Sequence, residues 1–188
     1  MTIREIHQED DPVLRKKAVK VTGFGKKFQT LVDDMTETML AAPGVGLAAP
    51  QVGVSQRLIV VKLLDDEENR RVYGEQAGVL YVIANPKIIK ASREMVTAVE
   101  ACLSVAGYFG EVERHESVVV TGLDRHGEDL RVKATGWLAR VFQHEIDHLD
   151  GVLYTDLATK IWRADETPPA DGEETEVAES PQLETTSE

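Results

Sequence analysis

At 188 residues and 42% hydrophobic content the chain can form one domain with a substantial core, and no apolar run approaches the roughly 20 residues of a membrane span. The net charge is −12, but nine of the 33 carboxylates and no Lys or Arg fall in residues 164–188, so the remainder is nearly balanced and nonspecific nucleic-acid binding is disfavoured. The single cysteine, Cys102, excludes an intramolecular disulfide, and the absence of an apolar signal core makes a cytoplasmic location the default expectation.

Residues 1–26 read as an extended, loop-rich start with a turn at Asp10-Asp11-Pro12. Over residues 27–42, Phe28, Leu31, Val32, Met35, Met39 and Leu40 recur at helical spacing, with Asp33, Asp34 and Glu37 on the outside. That pattern predicts an amphipathic helix in which the methionines fill core space. Pro43 and Gly44 end it. Residues 44–53 (Gly-Val-Gly-Leu-Ala-Ala-Pro-Gln-Val-Gly) are small enough to let the backbone approach a ligand, and Gln51 is the one side chain there with donor capacity. The glycines do not form a dinucleotide fingerprint, because the stretch runs from helix to strand rather than the reverse.

Residues 57–63 predict a buried strand, and the charged residues 65–78 a surface loop. Residues 79–84 predict a second strand broken by Asn85-Pro86, and residues 87–98 a third, less regular one. Residues 111–124 and 129–134 alternate as a hairpin turning at 125–128. His7, His115 and His126 lack partners in the sequence and receive no role. From residue 164 onward the chain is acidic and rich in Ser, Thr and Pro, too polar to offset chain entropy by burial, and disorder is expected. The expected division is a catalytic domain at 1–163 and an acidic tail at 164–188.

The organising stretch is Gln143-His144-Glu145-Ile146-Asp147-His148, in a segment with apolar residues at helical steps (Trp137, Leu138, Val141, Phe142, Ile146, Leu149) and a stop at Gly151. Histidines four apart on a helix share one face and reach one metal ion. Glu145 projects about 100° away, beside the metal without ligating it, where a general base for a metal-bound water belongs. Cys102, in Glu100-Ala101-Cys102-Leu103-Ser104 after a predicted strand, is a candidate third ligand as its thiolate. A closed four-ligand site would need an additional carboxylate, so the composition favours three protein ligands and an open position.

Three stretches together resemble the signature motifs of the peptide deformylase family: Gly44-Val45-Gly46-Leu47-Ala48-Ala49-Pro50-Gln51, Glu100-Ala101-Cys102-Leu103-Ser104 and His144-Glu145-Ile146-Asp147-His148. They occur in the family's order, and weaker likenesses extend the resemblance over about residues 3–160. It implies an α+β fold, with short mixed or antiparallel sheets packed around a central C-terminal metal-binding helix and one N-terminal helix. It further implies a ferrous ion on Cys102, His144 and His148, with Zn2+, Ni2+ or Co2+ as substitutes; ligand type alone would suggest zinc. The implied substrates are N-formyl-methionyl nascent peptides met near the ribosome, with no nucleic-acid or membrane partner and the chain acting as a monomer.

In the implied reaction a metal-bound water attacks the formyl carbon, and Glu145 carries the proton from that water to the leaving nitrogen. The Gln51 amide and the Leu103 N–H stabilise the oxyanion. Val45, Gly46, Ala101, Trp137, Arg140 and Val141 are the implied substrate-binding residues, Gly46 through its backbone. The family usually carries Gly where Ala101 stands, a costly change only if φ there is positive. Two other readings compete. One is a metal-binding but catalytically impaired relative, supported by Ala101. The other is a zincin-type metalloprotease, which would need a further His or Glu after His148, where only Asp150 and Asp156 follow closely.

Overall fold

The computed structural model describes residues 2–167. They form an α+β fold of two antiparallel sheets and three helices. Strands β1 (Gly46–Ala48), β2 (Leu58–Val61), β3 (Tyr81–Ala91), β6 (Ser117–Leu123) and β7 (Asp129–Thr135) make one sheet in the order β1-β2-β3-β6-β7. Strands β4 (Met95–Cys102), β5 (Val105–His115) and β8 (Lys160–Arg163) make the other in the order β4-β5-β8. Helix α1 (Lys26–Ala41) and helix α3 (Gly136–Asp150) are the long ones, and α2 (Glu67–Tyr73) is short.

All four residues of β2 are buried, because the sheet is covered on both faces. Leu58 and Val60 pack into the cluster built on Phe28, Leu31, Met35 and Met39 of α1. Ile59 and Val61 point the other way, onto Leu138, Phe142, Ile146 and Leu149 of α3. Strand alternation thus places α1 and α3 on opposite faces of the large sheet.

The other side of α3 meets the small sheet through polar groups. Arg140 donates to the Val112 carbonyl at 2.8 Å, and Gln143 to the His115 carbonyl at 2.9 Å. Helix α3 is therefore central, as expected. Its C-terminal stop is Gly151, in the left-handed conformation with φ 80°.

Four local expectations need correction. Residues 65–78 are not a plain loop. Asp66 caps α2 by accepting the Asn69 N–H at 2.7 Å, with acids in the first turn and arginines in the last. Asn85-Pro86 does not break its strand: β3 runs through with a register shift, Asn85 takes φ 53°, and its side chain grips Val21 at N and O. The predicted third strand instead divides at Ser92 between β3 and β4. Residues 111–124 likewise split at Glu116 into β5 and β6, which belong to different sheets. Strand β8 was not predicted from the sequence. Ala164 extends the pairing by donating to the Gly107 carbonyl at 2.8 Å. The expected disorder of the tail falls, beyond residue 167, outside the described residues.

Candidate active site

Two sheet edges face each other across one cavity. β1 is one of the two edge strands of the large sheet, and β4 one of the two of the small sheet. The cavity between them has a volume of about 870 Å³, and α3 forms its floor with Trp137, Arg140, Val141, His144 and Glu145. These positions lie on one helical face. Val45, Gly46 and Gln51 line it from the β1 side, and Ala101, Cys102 and Leu103 from the β4 side. Eleven of the twelve residues expected in the site thus line one cavity. The twelfth, His148, is buried behind it.

Cys102, His144 and His148 bring their donor atoms within 4.8 Å of one another, one thiol and two imidazoles. Cys102 Sγ is 3.2 Å from His148 Nε2. Glu100 Oε2 lies 2.9 Å from His144 Nδ1, so that Nδ1 donates to the carboxylate and Nε2 is the ring nitrogen that would meet a metal. Cys102 Sγ accepts from the Ser104 N–H at 3.4 Å and the Gln51 Nε2 at 3.5 Å. Burial holds His148 well below its ordinary pKa, in the neutral form that ligation needs. The donor set and its surroundings fit a catalytic transition-metal site with three protein ligands.

Glu145 stands beside these ligands. Its Oε2 is buried without a hydrogen-bond partner, and burial pushes the carboxyl up to about 7. Gly46 makes room for it, since a Cβ there would overlap Glu145 Oε1. Gln51 is held in one amide orientation. Its Oε1 accepts the Ala48 N–H at 2.8 Å, which turns Nε2 toward the site and onto Ser104 Oγ at 3.1 Å. Ala101 is not strained: among the described residues Asn85 is the one non-glycine with positive φ. The impaired-relative reading thereby loses its structural support. The zincin reading finds none either, because the third donor beside the two histidines is Cys102.

Sequence reasoning passed over a charge network beneath the site. Arg114 forks onto Glu100 at 2.6 and 3.0 Å and reaches Asp147 at 2.6 Å, while Arg140 adds 2.7 Å to Glu100. Burial opposes the charge on Glu100, but the His144 and Arg114 hydrogen bonds prevail and hold its carboxyl down at about 2. The Arg140 guanidinium is committed to this network, so the stem of that side chain is what the cavity meets. Glu100 stood two residues from Cys102, which was its one signal. Arg114 had none.

Known proteins resemble this chain in sequence and fold. A family model for polypeptide deformylase matches residues 3–164. The peptide deformylase of Symbiobacterium thermophilum is 52% identical over 179 residues, covering 95% of this chain and 76% of that protein. The crystal structure of the Ehrlichia chaffeensis peptide deformylase in complex with actinonin aligns with a TM-score of 0.78 at 42% identity, covering 85% of this chain and 91% of that one. A Met-Ala-Ser-bound class I type b peptide deformylase from Acinetobacter baumannii aligns with a TM-score of 0.75 at 34% identity, covering 83% and 98%. By motif, site geometry and these likenesses, the chain belongs to the polypeptide deformylase family.

Proposed function

We propose that this enzyme is a metal-dependent peptide deformylase, hydrolysing the N-terminal formyl group of formyl-methionyl polypeptides to formate and a free amine. The observation that carries the reading is the unpartnered Glu145 carboxylate beside the Cys102, His144 and His148 donors, in a cavity between two strand edges. The Met-Ala-Ser peptide bound to the Acinetobacter baumannii relative agrees with such a ligand.

Each residue has a physical task. A peptide laid between β1 and β4 gains backbone hydrogen bonds from an exposed edge, with Gly46 the close-approach position. Val45, Ala101, Trp137, Val141 and the Arg140 stem take the methionine side chain. The chemistry a divalent cation supplies on Cys102, His144 and His148 is Lewis acidity and a water acidified toward neutral pH. Glu145, with a carboxyl near 7, accepts the attacking water's proton and delivers it to the leaving nitrogen. Gln51 Nε2 and the Leu103 N–H take the charge that develops on the formyl oxygen, each worth about 3 kcal/mol.

Ferrous iron is the proposed ion, with Zn2+, Ni2+ or Co2+ able to occupy the same donors. The proposed setting is the cytoplasm, on nascent chains near the ribosome, with the chain as a monomer of one catalytic domain, residues 1–163, and an acidic tail. Among the described residues no helix is long and apolar enough to cross a membrane. Formate release from formyl-Met-Ala-Ser by metal-loaded protein tests the activity.

A further inference from the structure

Helix α2 has seven residues and buries none of them. A helix that short does not persist on its own in water. Its place in the fold depends on a few fastenings. Arg70 forks onto Asp65 at 2.7 and 2.9 Å, which ties the segment to itself. Gln76 donates to the Lys133 carbonyl at 3.0 Å, which ties it to β7. The third fastening reaches the catalytic helix: the Trp137 N–H donates to the Tyr73 hydroxyl at 3.0 Å.

That bond replaces a cap. The first N–H groups of a helix have no partner within it. Thr135, at the N-cap of α3, makes no side-chain hydrogen bond to them. The Tyr73 hydroxyl arrives from 64 residues away to satisfy one of them, and its ring packs against the core cluster under α3. Trp137 is 41% exposed and lines the cavity, so its own packing pins it weakly. Leu64, the residue before the α2 segment, lines the same cavity.

We propose that Tyr73 is a positioning residue for substrate selection. By holding the first turn of α3 it fixes where the Trp137 indole stands, and so how closely the cavity fits the first side chain of the substrate. The proposal rests on the deformylase reading of the cavity. Tyr73 touches neither the reacting atoms nor the metal donors, so its effect belongs on binding and discrimination rather than on the chemical step.

Tyr73→Phe keeps the ring and removes the acceptor. For formyl-Met-Ala-Ser its KM should rise about 3- to 10-fold with kcat changing less than about 2-fold, and the preference over formyl-Ala-Ala-Ser should fall. A second readout needs no turnover. The chain has two tryptophans, so 5-fluorotryptophan labelling gives two 19F resonances. In Tyr73→Phe the Trp137 resonance should shift and broaden while that of Trp162 stays in place. Unchanged KM and selectivity with an unchanged Trp137 resonance would overturn the proposal. A drop in melting temperature alone, with both readouts unmoved, would also overturn it by leaving Tyr73 a purely structural role. If the parent chain released no formate, the reading of the cavity would fail, and the 19F spectra would still decide whether Tyr73 places Trp137.

Discussion

Glu100 Oε2 lies 2.9 Å from His144 Nδ1, and the same carboxylate receives both Arg114 and Arg140. One buried charge therefore orients a metal donor and joins the small sheet to α3. An outer partner of this kind fixes the tautomer and ring direction of a ligating histidine. Glu100→Gln should weaken metal binding about 10- to 100-fold. Competition with a chromogenic chelator measures it, and wild-type affinity in the variant would remove Glu100 from this role.

The same carboxylate ties stability to pH. Its folded-state pKa, about 2, lies below the ordinary 4.5, so the folded state prefers the ionised form. The stability it contributes is full above pH 4.5 and drains away as pH falls toward 2. Urea unfolding followed across that window should show stability falling with acid, and Glu100→Gln should flatten the slope. An equally steep slope in the variant would place the acid sensitivity elsewhere.

Arg140 lines the cavity with its stem, but its guanidinium serves Glu100 and the Val112 carbonyl. Arg140→Met keeps much of the stem and leaves buried acceptors short of a donor. It should cost about 3 kcal/mol of stability, in keeping with the loss of one partner from a buried ion pair. Denaturant titration reads this directly. A loss confined to KM, with stability intact, would instead assign the guanidinium to substrate.

Gly46 is where a Cβ would overlap Glu145 Oε1. Gly46→Ala should displace the carboxylate and lower kcat on the order of 100-fold while the chain stays folded, since misplacement by about 1 Å can cost that much. Steady-state kinetics with a circular dichroism control checks both halves.

The centre of the molecule was legible because its signals are local. His144 and His148 sit four apart in a helix-periodic segment, and Gly151 stops it. The four apolar residues of β2 announce a strand covered on both faces. What stayed hidden is long-range. Arg114 looks like any strand arginine until β5 folds against α3, when it meets Glu100 and Asp147. Asn85-Pro86 reads as a breaker, yet the Asn85 side chain holds Val21 across 64 residues and the strand continues. Helix α2 has no apolar face to give it away; only the Asp66 cap, the acids after it and the two arginines mark it.

The central claim is that Glu145, beside the Cys102, His144 and His148 donors, drives hydrolysis of a formyl amide. The most direct measurement is formate release from formyl-Met-Ala-Ser by protein prepared anaerobically with iron, run beside Glu145→Gln with metal content determined in both. The account predicts steady turnover by the parent chain and a loss of about 100-fold or more in the variant at equal metal content. One metal per chain in the parent with no formate released would contradict it.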